Sequence, residues 1–114
     1  MQDRDQPPPE MTREERIAYN ESWSRTRNEQ RAQAWGGPDP VAGFRCECWQ
    51  SDCTERIRLS REDWDEVRAQ PNRFAVAPDH VAHGFEAVIV AKPHYWLVEK
   101  FGQAGEIAAE LAAE

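Results

Sequence analysis

The chain has no long hydrophobic run. Nothing in its 114 residues approaches the ~18 consecutive apolar positions of a membrane helix, and the opening MQDRDQPPPE lacks the apolar segment of a signal peptide. A cytoplasmic protein with no membrane partner is therefore expected. Positive charge is also in short supply: 14 basic against 21 acidic side chains leave a net charge of −7. Such a surface repels nucleic acid unless one face is locally basic. The deficit is uneven, with seven basic and eight acidic side chains over residues 1–45 and seven against thirteen over 46–114. Catalytic signatures are missing as well. There is no HExxH, no nucleophile elbow and no HxE with PCxxC as in zinc deaminases. No internal repeat is present.

Cysteine is scarce and concentrated. All three cysteines fall in FRCECWQSDC, at Cys46, Cys48 and Cys53. An odd number cannot pair completely within one chain, and a reducing compartment disfavours structural disulfides, so metal binding or redox chemistry is the expected use.

The remaining sequence reads as a small α+β domain. Residues 1–11, with Pro7, Pro8 and Pro9 in a row, form a lead that reads as disordered or polyproline-like. Thr12 and Glu15 have capping-box spacing, predicting a helix over 13–35 that ends at Gly36 and Gly37, with a linker to residue 40. Its apolar face is thin, with Tyr19 and Trp23 at i, i+4, so it is expected to dock through those two or to serve as an interaction arm. Its near balance of Arg and Glu argues against a phosphate-binding stripe.

From residue 41 the texture changes. FRCEC and TERIRLS alternate as two strands of a hairpin whose turn carries the cysteines. Ser60 caps a helix REDWDEVRAQ, with Asp63 at its third position and Leu59 placed to pack on Trp64. FAVAP reads as a strand, DHVAHG as a loop, and EAVIVA with HYWLVEKF as a second hairpin with Val88, Val90, Tyr95, Leu97 and Val98 available for the core. This zinc-stabilised α+β body would span 41–104, with residues 105–114 forming a short Ala-rich helical tail that frays unless it docks.

The spacing of the cysteines gives them a common direction. Cys46 and Cys48, two apart on extended backbone, face the same side, and the turn is long enough to return Cys53 to it. Three thiolates repel one another without a cation, whereas Zn²⁺ favours their deprotonation and asks for a fourth ligand. His80 is best placed, following the strand end at Pro78 and Asp79. His83, three residues on, competes, as do a carboxylate and water; His94 reads as a surface or half-buried strand residue. Acidic neighbours Glu47, Asp52 and Glu55 are expected to raise the thiol pKa values and oppose redox use.

The run FRCECWQSDCTERIRLSREDWDEVRAQPNRFAVAPDHV, followed by YWLVEK, resembles a family of small uncharacterised actinobacterial proteins with a charged N-terminal helix, a CECxxxxC turn, FxVxPxH and a closing VVEK-like strand. The resemblance covers residues 44–100. It implies Cys46, Cys48, Cys53 and His80 as the metal ligands, and no activity. Trp49 and Gln50 stand where that family often has Gly and Asp, and Asp79 stands where Gly is common.

Three thiolates make a bound water a poor acid, so a closed, structural zinc is expected, and no enzyme. Glu47 beside the metal is the one base to consider. The expected function is a non-catalytic zinc module, regulatory or adaptor in kind, acting on a protein partner. The alternatives are a zinc-finger-like nucleic-acid regulator and a thiol redox sensor. Of the 5 tryptophans, Trp64 and Trp96 have ready core roles, leaving Trp23, Trp35 and Trp49 as possible anchors.

Overall fold

Thr12 opens the first helix as its spacing requires. In the computed structural model, which describes residues 12–36, 38–50 and 52–113, its hydroxyl accepts from the Glu15 amide at 3.1 Å while the Glu15 carboxylate accepts from the Thr12 amide at 2.9 Å. The polyproline lead falls outside the described residues. Helix α1 (Arg13–Gln33) is followed by strands β1 (Val41–Arg45) and β2 (Arg56–Ser60), helix α2 (Arg61–Arg68), strands β3 (Arg73–Val76), β4 (Glu86–Ala91) and β5 (Trp96–Lys100), and helix α3 (Gly102–Ala113). The fold is α+β.

β1 and β2 form an antiparallel hairpin in register from Val41 opposite Ser60 to Arg45 opposite Arg56. β4 and β5 form the second hairpin, and β3 joins it on the far side of β5, giving the order β3-β5-β4. The central position of β5 explains why Leu97 and Val98 are fully buried, and Tyr95, just ahead of the strand, is fully buried as well. Val88 departs from its expected core role, at 41% exposed. It lies on the edge strand β4, where a bulge between Val88 and Val90 breaks the alternation.

Ser60 and Asp63 form the expected reciprocal cap of α2, with both bonds at 3.0 Å. Leu59 is buried beneath this turn, and Trp64 stacks on Phe44 with centroids 5.0 Å apart. Trp35 also meets Phe44, edge-on at 5.7 Å. These rings close the core over β1 and β2.

Helix α1 docks differently from its expected Tyr19–Trp23 contact, since both of those residues are only half-buried. Its buried side carries Ile17, Ala18, Glu21, Arg25 and Asn28, so the inward stripe is mostly polar. Each long polar side chain meets a partner. Lys100 Nζ lies 2.5 Å from Glu21 and 3.1 Å from Glu86, with Lys100 and Glu21 fully buried. Arg25 donates to the carbonyls of Pro71 and, at 3.2 Å, Ala108, with its guanidinium over the Phe74 ring at 4.7 Å. That bond and the burial of Ala104 and Ala108 dock α3 against α1.

Candidate metal centre

The centre is built where the first hairpin passes its pairing from one sheet to the other. Beyond Arg45 the Cys46 amide still donates to Glu55 of the β2 side at 3.1 Å, but the next amide, of Glu47, donates to Ala75 of β3 at 2.8 Å. The backbone through 46–48 stays extended, so Cys46 and Cys48 face one way and Glu47 the other. A turn closed by the Cys53 amide on the Gln50 carbonyl, 3.2 Å, carries Cys53 back toward the first two. Asn20 of α1 braces this turn by donating to the Trp49 carbonyl at 2.8 Å.

The fourth group comes from the end of β3. The His80 amide closes a turn on the Ala77 carbonyl at 3.0 Å, and Asp79 takes a left-handed backbone, φ 72°. Aspartate is among the few non-glycine residues that enter this region. The turn aims the imidazole at the thiols: His80 Nδ1 lies 3.5 Å from Cys46 Sγ and 3.6 Å from Cys53 Sγ. The ligand atoms of Cys46, Cys48, Cys53 and His80 all lie within 4.8 Å of one another, close enough to hold a metal ion. The Ala77 amide also donates to Cys46 Sγ at 3.1 Å, a bond that favours a thiolate there.

His83 is exposed and stands outside this group. His94 lies elsewhere, its Nε2 3.4 Å from Asp63 on α2. That carboxylate also accepts from Lys92 at 2.8 Å and Tyr95 at 3.3 Å. Burial pushes the Asp63 carboxyl up, but the bonds from Lys92, Ser60 and His94 together hold it well below the usual range.

The thiols do not titrate independently. A hydrogen bond from Cys46 draws the Cys48 thiol down to about 5, with His80 helping, and pushes Cys46 correspondingly up. Burial raises Cys53. This corrects the expectation that acidic neighbours raise all three. The nearest of them, Glu47, points away, and contacts within the cluster dominate.

Glu47 is 1% exposed and fully engaged on its own side. Its carboxylate takes Arg68 at 2.6 and 2.7 Å, Asn28 at 2.9 Å and the Ala75 amide at 2.9 Å. Sequence reasoning placed Glu47 beside the metal as a candidate base and missed this role, because its partners lie on α1, α2 and β3. The role of Lys100 was missed likewise. The chain matches no family model, no curated protein and no solved structure.

Proposed function

We propose that this protein is a non-catalytic module whose α+β body is fixed by one structural Zn²⁺ on Cys46, Cys48, Cys53 and His80, and that it acts as a regulator or adaptor through a protein partner. The observation that carries the metal reading is the pair of sulfur-to-imidazole distances, 3.5 and 3.6 Å. With Zn–S near 2.3 Å and Zn–N near 2.0–2.1 Å, the S···N edge of a coordination tetrahedron is about 3.6 Å. Three sulfurs and one imidazole are also the soft donor set that zinc takes in closed sites. The resemblance to the small actinobacterial proteins points to the same ligands.

A closed site supports a structural role over a catalytic one. The one base considered for a bound water, Glu47, faces the opposite side and accepts in four donor contacts. The redox alternative is weakened by a separation of properties: the lowered thiol, Cys48, is 1% exposed, while the more accessible Cys53 has a raised pKa.

Elemental analysis of the purified protein tests the reading. About one zinc per chain is expected, lost together with the fold in Cys48→Ser and His80→Ala and kept in His83→Ala. Protein made in metal-stripped medium that melts with the zinc-supplied form would refute it.

A further inference from the structure

The structure gathers on one side what the composition scatters. A groove of about 480 Å³ between the C-terminal third of α1 and the Arg45–Arg56 end of the β1–β2 hairpin is lined by Arg27, Arg31, Arg45 and Arg56, with no carboxylate in its lining. Two features make this more than a chance cluster. Arg45 and Arg56 stand directly opposite each other in the ladder, a placement that is unfavourable for like charges. Arg27 and Arg31 are four apart on one helix face, which is also repulsive. None of the four has an ion pair among the described residues, on a chain with 21 acidic side chains to supply one.

Two of the four guanidinium groups are also held in place. Arg27 and Arg45 lie over the Trp23 ring at 4.9 and 4.6 Å from its centroid. Asn28 fixes the Arg45 backbone to α1 with two bonds, accepting from its amide and donating to its carbonyl, both at 2.9 Å. A set of repelling cations, two of them preorganised, is relieved on an acidic protein by an anion seated among them.

We propose that this groove binds a short carboxylate-rich segment of a partner protein, which gives a chemistry to the partner in the protein-contact reading above and rests on that reading. Guanidinium forks match carboxylates two bonds at a time. A nucleic acid fits less well. A strand longer than the groove runs onto a body carrying the net charge of −7, and Trp23 is occupied by Arg27 and Arg45, so it offers no open platform for a base.

Fluorescence anisotropy with a labelled hexaglutamate peptide tests this on the full zinc-loaded chain. Binding is expected at about 0.05 M salt, weakening steeply toward about 0.5 M. The Arg31→Glu/Arg56→Glu variant should bind roughly tenfold or more weakly, since both reversed side chains are exposed at the groove and neither is a metal ligand. Arg31→Lys/Arg56→Lys, which keeps charge but loses the fork, should fall between. Arg16→Glu, at the other end of α1, should bind as wild type. Absence of peptide binding, indifference to the charge reversal, or tighter binding of a short single-stranded DNA lost in the same variant would each overturn the proposal. Zinc content on the same samples separates the outcomes: full metal with no peptide binding fails the groove alone, whereas missing metal fails the structural-zinc reading.

Discussion

Replacing Glu47 by glutamine changes one atom type and removes one charge, yet it should be among the most damaging substitutions in the chain. The native carboxylate receives Arg68 at 2.6 and 2.7 Å, Asn28 at 2.9 Å and the Ala75 amide at 2.9 Å, all acceptor contacts. A glutamine amide has one acceptor oxygen and must turn a donor toward Arg68, Asn28 or Ala75. Breaking a buried pair from one side costs about 3–5 kcal/mol, because the surviving charge is left without a partner. Arg68 is 16% exposed against 1% for Glu47, so water relieves part of that cost. We therefore expect about 3 kcal/mol, a large share of the roughly 5–15 kcal/mol total of a domain, and a melting temperature lower by roughly 10–20 °C. The assay is urea unfolding of zinc-loaded protein followed by tryptophan fluorescence. Adding Arg68→Met to the glutamine variant should restore part of the loss, because the orphaned charge is then gone. A glutamine variant within about 0.5 kcal/mol of wild type would refute the reasoning and reopen a chemical role for Glu47.

Glu21 gives a pH dependence of definite sign. Burial, opposed by Lys100 and reinforced by Glu86, raises its carboxyl well above 4.5, so the native state keeps a proton that the unfolded chain has lost. That contribution is complete below pH 4.5 and is lost as pH rises through the folded value, and Glu21→Gln should flatten the slope of stability measured from about pH 5 upward. A wild-type slope no steeper than the variant's would contradict this. Ser60→Ala removes the acceptor for the Asp63 amide at 3.0 Å and should cost about 1 kcal/mol by chemical denaturation, with Ser60→Thr nearly neutral. Gly105→Ala places a Cβ 2.7 Å from the Lys100 carbonyl oxygen, a backbone atom that also holds Asn72, so it should destabilise by about 1–3 kcal/mol despite alanine's better helix propensity. Equal or greater stability of the alanine variant would show that α3 shifts freely.

What could be read from the sequence followed short-range rules. Both capping boxes, both hairpins and the convergence of Cys46 and Cys48 depend on spacings of two to four residues, which the chain displays directly. The docking of α1 was not legible, because hydrophobic periodicity looks for an apolar stripe. Here the buried positions Glu21, Arg25 and Asn28 keep the helical spacing of four and then three but carry polar groups. Their burial makes sense only once Lys100, Pro71, Ala108, Arg45 and Glu47 are seen as partners, from 17 to 83 positions away. The addition of β3 to the second hairpin was hidden for a similar reason. Strand pairing between positions 20 to 26 apart leaves no local mark beyond the apolar run itself. The turn expected after Pro78 and Asp79 favours His80 over His83, and the structure places His80 with the thiols; the left-handed φ of 72° at Asp79 that shapes this turn is what composition alone does not announce.

Successive side chains from Arg45 to Cys48 serve different sites in strict alternation. Cys46 and Cys48 turn toward the metal centre, while Arg45 and Glu47 turn toward α1, where Asn28 bonds the Arg45 backbone and the Glu47 carboxylate together. A cation that fixes the two thiols therefore fixes the backbone on which Arg45 stands, and the arginine groove should depend on metal without touching it. Linkage makes the dependence reciprocal: an acidic peptide bound among the arginines should raise metal affinity by the factor by which metal raises peptide affinity. Competition with a coloured zinc chelator, with and without hexaglutamate, measures one side, and anisotropy at fixed free zinc measures the other. Equal peptide affinity in zinc-loaded and stripped protein, with α1 still helical, would show that Asn28 holds Arg45 unaided and that the two faces of this segment act independently.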